Sequence, residues 1–271
     1  MKITFLGTAG GRILIMTQMR ASGGWILEMD GETIHIDPGP GALVRAKQYG
    51  VDLRKLTAIA ISHAHPDHYT DTEIIIESMT NGTRKRRGIL IGNEHAIKGG
   101  VDYRQVVSPF HLRLLEKYRA LEPGKMMKVG TIDVTATPTK HREEKGVGFV
   151  FRGSKTLGYA GDGEYFPGME KHFEGCDYLI LNVLRPRNAN WPGHMNTHQA
   201  VELIRKVMPK LVIIQHFGML MVKAGPEKEA KWIEEQTGVR TIAATDGMSV
   251  DPEKLHLNGL GKWTSEKKQK G

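Results

Sequence analysis

The sequence predicts an α/β protein built as a four-layer αβ/βα sandwich, two packed sheets covered by helices. Three observations predict it. Short β-like runs between Gly-rich turns dominate the first half of the chain, helical patterns flank them, and strand–helix alternation returns late. That order suits two sheets face to face with helices outside.

The elements follow in order. Strands are expected at Ile3–Leu6, Trp25–Glu28 and Thr33–Ile36, separated by Gly7–Gly11 and by Asp30-Gly31. Pro38-Gly39-Pro40-Gly41 stops the third run, and Ala42–Tyr49 reads as a helix. Leu56–Ile61 is a continuous apolar run that suits a buried strand, and Asp67–Thr80 reads as one helix. Further strands are expected at Gly88–Ile91, Lys125–Val129 and Thr131–Thr137, the last with Ile132, Val134 and Ala136 in period-2 alternation. Gly148–Phe151 and Thr156–Ala160 read as a hairpin, and Tyr178–Val183 as a buried strand. Thr197–Met208 is a helix with Thr197 as N-cap and Pro209 just beyond. A strand at Leu211–Ile214, a helix at Pro226–Thr237 and short strands at Arg240–Ala243 and Met248–Val250 complete the chain.

The 271 residues are 39% apolar and 25% charged, enough core material for a globular protein. We expect one domain over residues 1–261 and a basic, disordered tail over 262–271. No window offers the ~18 consecutive apolar residues of a membrane helix, so no membrane partner is expected. Residues 1–16 read as a strand and a turn, not a secretory signal. A single cysteine, Cys176, rules out an internal disulfide framework and makes a reducing, cytoplasmic location the expectation. A net charge of +8 favours anionic partners.

The segment Ser62-His63-Ala64-His65-Pro66-Asp67-His68 follows a buried strand and opens a helix. His63 and His65, two apart in an extended stretch, point to the same side, whereas the adjacent Asp67 and His68 diverge and can reach a second centre. Neutral imidazoles with carboxylates suit zinc, with manganese or iron as alternatives. A histidine-rich surface loop is the bland alternative. Against it, His141, Asp162 and His216 each follow a strand, where α/β folds place their sites.

This set resembles the metallo-β-lactamase-fold hydrolase superfamily, whose His-His-Asp-His motif is matched by His63, His65, Asp67 and His68. Phe5-Leu6-Gly7-Thr8 and Ile36-Asp37-Pro38-Gly39 are similar too. The resemblance implies two divalent metal ions, zinc first. His63, His65 and His141 would hold one, Asp67, His68 and His216 the other, and Asp162 would bridge them. Within the superfamily, Gly193-His194-Met195-Asn196-Thr197-His198-Gln199-Ala200 resembles the segment that gives ribonuclease Z and its relatives a catalytic histidine ahead of a helix, and Asp177–Arg185 followed by His194 resembles the cyclic-phosphate phosphodiesterase of phosphonate breakdown. It implies a phosphodiesterase with a metal-bridging hydroxide as nucleophile.

Two ions bring four positive charges and Asp67, Asp162 and hydroxide three negative ones, which favours an anionic phosphodiester. His194 is the candidate general acid, its ordinary pKa near 6.5 suiting proton transfer at neutral pH, and Asp67 is a candidate to orient the nucleophile. Asp37 and Asn182 are candidates to orient ligands, and Arg185 to clamp a phosphate. The run Arg84-Lys85-Arg86-Arg87 is either a solvated face or a substrate contact. His198 reads as an exposed first-turn residue. The alternatives are a carboxyl-type hydrolase acting on a lactone or thioester, and a ribonuclease Z-like endonuclease. The short interval between His141 and Asp162, largely consumed by the hairpin, leaves no room for a transfer-RNA arm, so a small anionic phosphodiester is preferred to nucleic acid. A homodimer is left open.

Overall fold

The computed structural model describes residues 1–257, so the boundary expected at residue 261 and the basic tail lie outside the described residues. The strands are β1 (Lys2–Phe5), β2 (Trp25–Met29), β3 (Glu32–Ile36), β4 (Ala58–Ile61), β5 (Ile89–Gly92), β6 (Lys117–Ala120), β7 (Met126–Val129) and β8 (Ile132–Pro138). They continue with β9 (Val147–Arg152), β10 (Thr156–Tyr159), β11 (Tyr178–Arg185), β12 (Met195–Asn196), β13 (Leu211–Gln215), β14 (Thr241–Ala243) and β15 (Ser249–Val250). The helices are α1 (Arg12–Thr17), α2 (Ala42–Gln48), α3 (Pro66–Tyr69), α4 (Thr72–Met79) and α5 (Glu94–Lys98). After them come α6 (Pro109–Arg113), α7 (Thr197–Val207), α8 (Met219–Ala224), α9 (Pro226–Thr237) and α10 (Pro252–Leu257).

One sheet runs β15-β1-β2-β3-β4-β5-β6, and the other β14-β13-β11-β10-β9-β8-β7 with β12 beside β11. Side-chain alternation along a strand divides each sheet into two faces. Trp25, Leu27, Ile34 and Ile36 face Phe149, Phe151, Tyr159 and Ile180 in the core between the sheets. Ile26, Ile59 and Ile61 face α2 and α4, while Leu179, Leu181 and Ile214 face α7 and α9. Three hydrophobic cores therefore separate four layers, as the sequence predicts. Trp25 sits edge-on to Tyr159 at 5.4 Å and to Phe151 at 6.2 Å, tying the two inner faces together. At the far edge, Asp30 in the β2–β3 turn accepts the Ser154 amide at 2.6 Å and its hydroxyl at 2.5 Å, so the turn of the β9–β10 hairpin is clamped to the other sheet.

Several expectations need correction. Residues 67–80 are not one helix. The segment breaks after Tyr69, because the Asp71 amide turns to the Pro38 carbonyl and the Asp71 carboxylate takes the Leu43 amide. The α7 N-cap is Asn196, in a capping box with Gln199, and the Thr197 hydroxyl instead donates to buried Glu229 at 2.7 Å. Helix α1 stands where a turn was expected: its Ile13 and Met16 are exposed, so no apolar stripe marks it. Edge strand β6 is polar and exposed and carries no strand pattern either.

His35 of β3 is fully buried and bonded through Nε2 to the Gly23 carbonyl at 2.8 Å. Burial pushes its pKa down to about 4, against the pull of that carbonyl and of Asp37. The folded protein thus refuses a proton that the unfolded chain accepts below about 6.5. Stability is complete above that pH and falls as pH drops towards 4, by roughly 3 kcal/mol over the interval. Denaturant unfolding from pH 7 to 4 should show a shallower decline for His35→Gln than for the parent; parallel declines would exclude His35 as a source.

Candidate metal centre

The ends of six strands meet along one edge of the sandwich. β3 leads into Asp37, β4 into His63–His68, β8 towards His141, β10 to Asp162, and β13 to His216, while β11 carries Asn182. These strands run parallel within their sheets, β8 and β10 through the antiparallel β9, so their C-terminal ends coincide. The Arg84–Arg87 run precedes β5, parallel to β4, and so lies at the opposite end of that sheet. There Arg86 donates to the Leu115 carbonyl and Arg87 to that of Arg54.

His63 Nε2 lies 3.0 Å and His141 Nε2 3.1 Å from His65 Nδ1. The far sides of two rings fix their protons. His141 Nδ1–H donates to the Gly193 carbonyl at 2.6 Å, and His63 Nδ1–H to the Ser62 hydroxyl at 3.0 Å, since that hydroxyl gives its own proton to Asp37. Two bare nitrogens thus face a third, and one proton cannot satisfy all three. Burial holds His65 down to about 4 and His63 well below its ordinary value, so these rings are neutral ligands at neutral pH. A cation fits this arrangement.

The second group is more anionic. His68 Nε2 and His216 Nε2 each lie 3.4 Å from Asp67 Oδ2. Asp162 Oδ2 stands between the groups, 3.9 Å from His63 Nε2, 3.7 Å from His68 Nε2 and 3.4 Å from His216 Nε2. His68 Nδ1–H donates to Asp37 at 2.9 Å, and its Nε2 is buried without a hydrogen-bond partner. Burial lowers His68, but the surrounding Asp67, Asp37 and Asp162 carboxylates override it and raise it well above the usual range. Burial likewise raises Asp67 and Asp162, and the facing histidines outweigh it and hold both well below the carboxylate range. Carboxylates this buried call for positive charge among them, and an orphaned imidazole nitrogen aimed into the cluster suits a metal ion. The residues present therefore fit metal, and every expected ligand lies in the cluster. Gly10 is cut to that shape, because a Cβ there would fall 2.3 Å from His216 Nδ1.

His194 joins them, its Nδ1 3.6 Å from Asp162 Oδ2 and its ring 4.8 Å from that of His141. His141, Asp162 and His194 are themselves close enough to share an ion. Burial drives His194 down to about 4 despite Asp162, below the 6.5 expected from sequence. His198 is exposed on α7, against Trp232.

Behind the ligands runs a network that the sequence only half discloses. Asp37 accepts from the Ser62 amide at 2.6 Å, the Ser62 hydroxyl at 2.8 Å and the Tyr159 hydroxyl at 2.6 Å, besides His68. Asn182 Nδ2 donates to Asp162 at 2.6 Å and to the Tyr159 oxygen at 3.0 Å, and Gln215 donates to Asn182 at 2.9 Å. Tyr159 and Gln215, which sequence reasoning missed beside Asn182, continue the inward-facing parity of apolar strands, a signal that could have found them. Glu143, fully buried, takes Asn93 Nδ2 at 2.6 Å, the Lys145 amide at 3.0 Å and His95 Nδ1, fixing the loop that carries His141. Asp37→Ala should weaken metal affinity about 10–100-fold, since partners behind a ligand typically matter that much. A competitive chelator titration reads it, and unchanged affinity would reduce Asp37 to a turn residue.

The comparisons agree with this geometry. A protein 38% identical over 267 residues, covering 97% of each chain, is the uncharacterized protein MJ1374 of Methanocaldococcus jannaschii. The crystal structure of the metallo-β-lactamase-fold protein YhfI from Bacillus subtilis matches with a TM-score of 0.75 at 19% identity, over 92% of this chain and 98% of that one. A diphosphatase from the PhnP family matches with a TM-score of 0.69 at 19% identity, over 92% and 97%. The family described as Beta-lactamase superfamily domain matches residues 32–217, and the chain belongs to that superfamily as a metallo-β-lactamase-fold hydrolase with a His/Asp cluster positioned for metal.

Proposed function

We propose that the chain is a metal-dependent phosphodiesterase working on a small anionic substrate in the cytoplasm. The observation that carries this reading is the position of Asp162 Oδ2 between two three-residue ligand groups, with His194 beside it. His63, His65 and His141 would hold one divalent ion and Asp67, His68 and His216 the other, with zinc as first choice. When bound, such ions supply a nucleophile from water at neutral pH and electrostatic stabilisation of the displaced oxygens. The similarity to a PhnP-family diphosphatase supports phosphoryl over carboxyl chemistry. Cytoplasmic placement rests on the lone Cys176, buried and with its thiol raised by that burial to about 11.

The chain's own groups do the rest. Asp37, Tyr159 and Asn182 hold His68 and Asp162 in orientation, and the Gly193 carbonyl fixes the His141 tautomer. His194 is neutral at rest, so the ring needs a proton before it can act as acid. A phosphate anion beside it favours that protonated form, and the low intrinsic pKa makes it a strong donor to the leaving oxygen.

Three measurements test this. Metal analysis after reconstitution should give two ions per chain, falling in Asp162→Ala; one ion under excess metal, unchanged by that substitution, would end the two-ion reading. His194→Ala should lower turnover about 10²–10⁴-fold on a diester with an alkoxide leaving group, and much less with a nitrophenolate. Equal losses on both would remove the acid role. The β9–β10 hairpin fills the interval between His141 and Asp162, so precursor transfer RNA should be cleaved poorly beside a cyclic nucleotide. Efficient, correctly placed cleavage would favour the ribonuclease Z-like alternative.

A further inference from the structure

Among the described residues, Asp37, Asp162 and Glu143 are buried carboxylates that serve the metal centre, and Glu229 on α9 is a fourth whose hydrogen bonds go elsewhere. It is 2% exposed, beside Ala230 and Ile233, which pack in the core under α7 and α9. A carboxylate in such a place is costly unless charged and polar donors meet it. Arg187 and Thr197 supply them. Arg187 brings its backbone amide at 3.2 Å and its Nε at 3.1 Å, and Thr197 its hydroxyl at 2.7 Å. The Arg187 guanidinium also stands over Trp232 of α9, 4.9 Å from the ring centre, so this side chain is seated on the helix twice over.

Arg187 and Thr197 are the two ends of the segment that carries His194. Between them the chain buries little. Asn188, Asn190, Trp191 and Pro192 are exposed, and Asn188 takes a left-handed φ of 61°. A short series of polar ties runs through the segment. The Ala189 amide donates to the Pro186 carbonyl at 3.2 Å, Asn196 Nδ2 to Asn190 at 2.6 Å, and the His194 amide to the Trp191 carbonyl at 3.1 Å. A loop with few buried contacts opens easily, so its shape depends on how its ends are fixed. Here both ends are fixed to one carboxylate. A buried ion pair adds little to stability over apolar groups of the same volume, and its best use is to select one arrangement. The arrangement selected here puts His194 Nδ1 3.6 Å from Asp162 Oδ2.

We propose that Glu229 is a positioning residue for His194: by gathering Arg187 and Thr197 onto one carboxylate, it fixes the segment that presents the His194 ring to the metal centre. The proposal rests on the reading of His194 as proton donor to the leaving oxygen. Proton transfer needs the ring within hydrogen-bond reach of that oxygen, and a misplacement of about 1 Å can cost roughly a hundredfold.

Glu229→Gln keeps the volume and an oxygen for Thr197 but turns an amide N–H₂ towards the Arg187 donors. Turnover of the zinc-loaded protein should fall about ten- to a hundredfold on a diester with an alkoxide leaving group and much less with a nitrophenolate, with KM and the number of bound ions unchanged. Arg187→Ala, which leaves Glu229 its Thr197 bond, should repeat the pattern more weakly and guards against loss of the fold in the first variant. Amide hydrogen exchange reads the tether without turnover. Ala189 and His194 should exchange about tenfold faster in Glu229→Gln, while the amides of β11 keep the parent rate. Unchanged exchange at Ala189 and His194 overturns the proposal. So do equal losses on the two diesters in Glu229→Gln where His194→Ala does distinguish them. If His194→Ala costs the same on both diesters while the loop exchanges faster in Glu229→Gln, the proton-donor reading fails and the tether alone stands.

Discussion

Four donors converge on the carboxylate of Asp37, and the rest of the centre is arranged around that convergence. The Ser62 amide and hydroxyl come from the loop that holds the first histidines, His68 from the short helix beyond it, and Tyr159 from the opposite sheet. Hydrogen bonds to a charged group are worth about 1.5–3 kcal/mol each, and a buried carboxylate without them would be expensive to keep ionised. Here all four are made, so the buried carboxylate is fully satisfied. It sets the tautomer of His68 directly and that of His63 through Ser62, leaving the Nε2 atoms of both rings turned towards the cluster. Asp37 adopts φ 54°, a left-handed conformation that Asp tolerates better than most residues, and Pro38-Gly39 follows at once.

The ligands divide between the two sheets. His63, His65, Asp67 and His68 come from one, and His141, Asp162 and His216 from the other. An ion held by both groups is therefore a cross-link between layers that otherwise meet through apolar side chains and a few hydrogen bonds such as Tyr159–Asp37 and Ser154–Asp30. Its binding free energy is also docking free energy, which gives the inner network a structural as well as a chemical reason to exist.

Much of this could be read from residues alone, for identifiable reasons. The His63–His68 segment has a spacing that ligand geometry imposes, and His141, Asp162 and His216 follow strands whose apolar periodicity is plain. Tyr159 and Gln215 were harder, because each looks like the polar end of a buried strand until the two sheets are placed face to face. The break between Tyr69 and Thr72 was hidden, since it depends on the Asp71 amide reaching the Pro38 carbonyl. Helix α1 escaped because its apolar residues point to solvent, and β6 because an edge strand need not alternate. Glu143 and His95 have no mutual signal in sequence, since their contact joins segments from different sheets.

The clamp between Asp30 and Ser154 has a mechanical consequence. It fastens the two sheets at the margin farthest from the ligands, while the Asp37–Tyr159 bond fastens them at the near margin. Two sheets tied at both margins resist shear and hinging more than sheets tied at one, which favours a constant spacing of the histidines across them. The segment between Arg185 and His194 lies outside that frame and still borders the centre, because the Gly193 carbonyl holds His141 and His194 stands beside Asp162.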